Sequence, residues 1–90
     1  MPRVDCGGPK ARYCRVRQRN PPRGRGKCVT PAWASRVAGS VRKGAKVVTC
    51  KFKDGWDVQS VLIPKPKGKP NKTAIRKQAT RIRKKIRREL

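Results

Sequence analysis

Four cysteines, Cys6, Cys14, Cys28 and Cys50, are the residues of this 90-residue chain best suited to chemistry, with 7, 13 and 21 residues between them. Four thiolates could enclose a tetrahedral Zn2+ ion. No pair has the short knuckle spacing of zinc modules, and Cys50 falls on the apolar side of an alternating segment, where cysteine acts as a small hydrophobe. The opening Met-Pro-Arg-Val-Asp lacks an apolar signal region, and no window approaches a membrane span, so an intracellular location is the reading. Disulfides are rare there. The expectation is therefore unmodified thiols with no metal or other cofactor. Cationic neighbours favour the thiolate of Cys6, Cys14 and Cys28, but a nucleophile needs a partner base. The chain has no His, and its carboxylates are Asp5, Asp54, Asp57 and Glu89, so an enzyme is not expected.

The abundant chemistry is cationic. Twenty-seven Lys and Arg stand against the four acids, giving a formal charge of +23 with only 34% hydrophobic residues. A solvated charged surface normally intersperses both signs; a one-signed basic surface is the footprint of a polyanion partner. Phosphate neutralisation with counterion release supplies affinity with little sequence preference. Expected phosphate contacts are Arg12, Arg15, Arg17, Arg19, Arg23, Arg25 and Lys27 near the N-terminus, and Arg76, Lys77, Arg81, Arg83, Lys84, Lys85, Arg87 and Arg88 near the C-terminus. RNA is favoured over DNA because Arg slightly exceeds Lys (14 to 13) and alternates with Gly, and guanidinium both forks onto phosphate and stacks on bases.

The elements that position these cations read as a small α+β chain. Residues 1–27 are rich in Arg, Gly and Pro and read as an extended basic arm, with at most a short strand at Ala11-Arg12-Tyr13-Cys14-Arg15-Val16-Arg17. A body at 28–63 follows. Its helix spans about 31–42, with Thr30 as N-cap, Pro31 at the first helical position, a stripe of Trp33, Val37 and Val41 toward the core, widened by Ala34 and Ala38, and Gly44 as stop. Its β-hairpin spans about 46–63. A three-residue loop, Lys53-Asp54-Gly55, would pair Phe52 with Trp56, Cys50 with Val58, Lys51 with Asp57, Thr49 with Gln59 and Val48 with Ser60. The expected core is thin: Trp33, Val37, Val41, Val48, Phe52, Trp56, Val58 and Leu62.

Residues 64–70 form a Pro/Lys linker, and 71–90 a basic amphipathic helix at about 72–89, capped by Asn71, with Ile75, Ala79, Ile82, Ile86 and Leu90 on one edge. Like charges at helical spacing repel, so this helix is expected to need an anion for its order. An apolar edge without aromatic anchors suits a protein neighbour better than a lipid surface, and no membrane partner is expected.

Basic arms flanking a tiny body resemble the layout of ribosomal proteins. In addition, Arg42-Lys43-Gly44-Ala45-Lys46-Val47-Val48, followed by Lys53-Asp54-Gly55, resembles the opening of the KOW-type strand-turn element of SH3-like ribosomal proteins. The expected function is thus a structural RNA-binding component of a ribosome or similar ribonucleoprotein particle, with protein neighbours in a large assembly. DNA compaction or genome packaging, as by chromatin-type proteins or viral nucleoproteins, is the alternative, and an organelle or virion is compatible with the same charge.

Overall fold

The computed structural model describes residues 3–17, 28–52 and 55–89. Five strands, β1 (Arg3–Asp5), β2 (Tyr13–Arg17), β3 (Cys28–Val29), β4 (Lys46–Phe52) and β5 (Gly55–Pro64), form an antiparallel sheet in the order β1-β2-β5-β4-β3. Two helices, α1 (Ala32–Val41) and α2 (Lys72–Glu89), cover one face of it. The chain is a small α+β fold.

The N-terminal region departs from the extended arm expected of it. Residues 3–17 supply two strands, and β2 runs between β1 and β5, pairing Cys14 with Ile63 and Val16 with Val61. Its alternation carries too few apolar residues to hold a strand alone. The missing stabilisation comes from distant chain: Cys14 and Val16 are fully buried beneath α2, and Cys14 is bonded to Cys6. The turn between β1 and β2 is tight at Gly7, whose φ of +65° and 2.8 Å approach of a notional Cβ to the Ala11 side chain exclude larger residues. Arg19, Arg23, Arg25 and Lys27 lie outside the described residues.

The hairpin forms, but with a different register. Nearest the turn the pairs are Phe52 with Gly55, Lys51 with Trp56, Cys50 with Asp57 and Thr49 with Val58, so the three-residue loop and the pairings that depended on it are incorrect. An irregularity between Val48 and Thr49 passes over Gln59 and restores the expected pairing of Val48 with Ser60. The physical reason is burial. Val58 and Val61 both enter the core, which residues an odd number apart can do only if a bulge resets the alternation between them. That bulge also leaves Thr49 beneath the helices, where its hydroxyl donates to the Val29 carbonyl at 3.3 Å.

Helix α1 has about the expected length, and its inward face is centred on the alanines at the edge of the expected stripe. Ala34 and Ala38 are fully buried, while Trp33, Val37 and Val41 are half-buried at the margin of the core. Small side chains let α1 pack closely against both α2 and β4, and the bulky stripe is displaced to the rim. Pro31, rather than Thr30, is the N-cap and makes no side-chain capping bond. The helix ends at Val41 with Arg42 as C-cap, ahead of the expected stop at Gly44, which at φ +85° lies in the turn leading to β4. Of the other residues expected in the core, Val58 is buried, whereas Val48 and Leu62 are half-buried because the helices cover the alternate face, lined by Val47, Val61 and Ile63. The side chains of Phe52 and Trp56 lie outside the description.

Helix α2 matches its expected span. Asn71 Oδ1 accepts the backbone N–H groups of Thr73 and Ala74 at 3.1 and 3.2 Å, satisfying two donors that the helix cannot satisfy internally. Ile75, Ala79, Ile82 and Ile86 are buried against α1, β1, β2 and β5. Helix α2 therefore joins the same core as the strands. Truncating Ile82, which is fully buried, to Ala is expected to cost roughly 3 kcal/mol, the middle of the range for a large-to-small core change; urea unfolding followed by circular dichroism measures it.

Candidate nucleic-acid interface

The buried edge of α2 dictates what the helix shows to solvent. With every third or fourth residue committed to the core, Lys77, Arg81, Lys84, Lys85, Arg87 and Arg88 are exposed, and Arg76 and Arg83 lie half-buried along the flanks of the apolar stripe. The sheet thus holds one 18-residue helix whose outer side is mostly cationic, with Thr73, Ala74, Thr80 and Glu89 among the cations. Its last turn contains Arg87 and Arg88, which complement the negative end of the helix dipole.

A second basic surface lies across the sheet. Arg15 and Arg17 alternate with buried Cys14 and Val16, so both project from the face that the helices leave open. They stand opposite Leu62 and Ser60 of β5, and line two depressions. A small one, about 80 Å3, is completed by Val48, Gln59 and Ser60. A larger one, about 650 Å3, is completed by Val4, Asp5, Gly7 and Lys72. Arg12 is exposed just before β2, and its carbonyl accepts the Lys65 N–H at 3.0 Å.

Several cations outside the expected set turn out to be placed with purpose. Lys46 lies 5.7 Å from the centre of the Tyr13 ring, within cation–π range. Lys65 donates from Nζ to the Gly8 carbonyl at 2.9 Å, tying the linker to the β1–β2 loop. Arg36 of α1 joins Lys85 and Arg88 of α2 around a groove of about 460 Å3. Lys72 reaches the Arg15–Arg17 cavity only because of the fold. Nothing local to it in sequence marks that placement.

The cysteines correct the sequence reading most sharply. Cys6 is bonded to Cys14 and Cys28 to Cys50, leaving no free thiol. Cys28 and Cys50 face each other directly in the β3–β4 ladder. The zinc arrangement fails on geometry, because the two pairs sit in different parts of the sheet and no group of three or more His, Cys, Asp or Glu converges among the described residues. Unmodified thiols fail for the converse reason: antiparallel pairing brings each sulfur to its partner, a long-range effect that spacing along the chain does not reveal.

No family model, no curated protein and no solved structure matches the chain.

Proposed function

We propose that the protein is a structural, non-catalytic nucleic-acid-binding protein, most consistent with an RNA-binding component of a ribosome or similar ribonucleoprotein particle. It neutralises phosphates through the outer side of α2 and through Arg12, Arg15 and Arg17 on and beside the open sheet face, with the cations of residues 19–27 adding to the grip. The observation that carries this reading is the division of α2. Its apolar edge is consumed by the core, so the helix has no hydrophobic side left for lipid insertion, and what faces solvent is a field of Arg and Lys. Among the described residues, no helix is long and apolar enough to cross a membrane.

Two cationic surfaces on opposite sides of one sheet favour threading between nucleic-acid segments over lying along a single one. The test is competition at ~150 mM salt, where the screening length is about 8 Å. Labelled structured RNA, duplex DNA and phosphatidylserine vesicles are offered together to the full chain. Retention on RNA, with vesicles failing to compete, is the expected result; retention on vesicles alone would overturn the proposal.

The disulfides favour a second reading. Bonded cysteines persist in oxidising surroundings and are rare in a reducing cytosol, which suits a protein that packages a genome inside a particle exposed to oxidants. Stoichiometry separates the two. One copy per large RNA particle supports the first reading, and a coat of many copies along a nucleic acid supports the second.

A further inference from the structure

We infer that the cavity between β1, β2 and the start of α2 holds one unpaired nucleotide of the bound strand, its phosphate on Arg15, Arg17 and Lys72 and the edge of its base on Asp5, with guanine preferred. The inference rests on the proposed nucleic-acid role and narrows it to a place and a chemistry. At about 650 Å3 the cavity falls within the range of small-ligand sites, roughly 300–1,000 Å3. Its walls come from three elements fixed independently of any ligand. Asp5 is held opposite Arg15 by the β1–β2 ladder. Lys72 opens the α2 helix, and the linker before it is anchored through the two Lys65 bonds to Arg12 and Gly8.

The decisive residue is Asp5. A site built for phosphate alone has no use for a carboxylate, which repels the ligand. Yet one of the four acidic residues of the chain stands here among three cations. Its orientation is set, because the Gly7 N–H donates to Oδ1 at 2.9 Å. The Asp5 side chain is exposed, so its carboxylate, with lone pairs left on both oxygens, is open to N–H donors of a ligand. A ligand that satisfies both the cations and this acceptor carries an anion at one end and N–H groups at the other. Guanine, with adjacent ring and amino N–H groups on its pairing edge, can donate to both carboxylate oxygens at once, Oδ1 keeping a second lone pair beside the Gly7 bond; uracil offers one ring N–H between two carbonyls that the carboxylate would repel. Single-stranded bases splayed from the backbone are the ones proteins read in this way.

The experiment uses the full chain and single-stranded oligouridylates of equal length in which one central base is replaced by G or A, with anisotropy read at ~200 mM salt so that non-specific contacts are weakened. The G-containing strand is expected to bind about tenfold more tightly than the all-U strand, the scale of one good side-chain-to-base contact. Asp5→Asn keeps an acceptor for the Gly7 N–H and the same volume but turns the other atom into a donor and removes a negative charge beside the phosphate, so the all-U strand should bind more tightly while the preference for the G-containing strand disappears. Equal binding of all three strands by the unaltered protein would overturn the cavity assignment and leave the general reading standing. An Asp5→Asn variant that gains affinity equally for every strand would reduce Asp5 to a counter-charge for Arg15 and overturn it too. Absence of binding to every strand and to structured RNA would instead remove the nucleic-acid reading itself.

Discussion

Reduction of the two disulfides is expected to lower the thermal midpoint of the free protein by at least about 20 °C, measured by circular dichroism with and without a thiol reductant. The bonds span sequence separations of 8 and 22 residues. The chain-entropy relation assigns loops of these lengths roughly 2.5 and 3.5 kcal/mol. Their sum, about 6 kcal/mol, matches the entire stability of many small domains, and in a chain of this size one kcal/mol moves the midpoint by about 4–8 °C. Two features enlarge the effect. The charge of +23 repels itself throughout the compact state, and β3 is a two-residue strand whose only described pairings are Cys28 with Cys50 and Val29 with Thr49. Added polyanion should recover much of the loss, since a ligand that binds only the folded form stabilises it by mass action. An unchanged midpoint would show that the cysteines are thiols in solution and would restore the expectation of unmodified thiols in an intracellular protein.

The contrast between α2 and β2 explains which parts of the molecule the sequence disclosed. In α2 every determinant is local: the Asn71 cap, the Ile75, Ala79, Ile82, Ile86 spacing and the intervening cations lie within one stretch of chain, so bounds, inward face and outward charge could all be read together. Strand β2 is held by β5, 43 or more positions away in sequence, and by a disulfide to Cys6. Composition there, rich in Arg and Gly, argued for an arm. Helix α1 lies between these cases. Its cap region and glycine stop gave its length, but choosing its inner face required knowing how closely α2 would pack, and a close approach selects Ala34 and Ala38 over Trp33 and Val37. The bulge at Gln59 has no side-chain signature at all, because it serves a register that becomes visible only once Val58 and Val61 share a core. The candidate site divides the same way. The α2 cations were legible as a run; the grouping of Asp5, Arg15, Arg17 and Lys72 was not, since it joins the first strand to the last helix.

The packing of α2 also changes what is expected of binding. A helix that formed only on its partner would charge the ordering entropy of its residues against every contact. A helix already seated on the sheet presents its cations as a fixed array, so affinity should follow the electrostatic term closely. For Z phosphates neutralised on duplex DNA, the observed constant falls as salt to the power of about 0.9Z. If six of the eight α2 cations from Arg76 to Arg88 make contact, raising salt from ~50 to ~200 mM should weaken binding by about three orders of magnitude. Replacing Lys77, Arg81 and Lys84, all exposed, by Ala should reduce the slope by about 3, one unit per lost phosphate contact, and do so equally for unrelated sequences. Because these side chains lie off the buried stripe, the variant should melt no lower than the parent, and relief of like-charge repulsion along the helix could raise its midpoint slightly. Slopes from fluorescence titrations at four or more salt concentrations decide the matter. A flat response in the parent would rule out phosphate neutralisation as the source of affinity. A triple variant with an unaltered slope would move the contact surface away from α2, to the open face of the sheet where Arg15 and Arg17 stand.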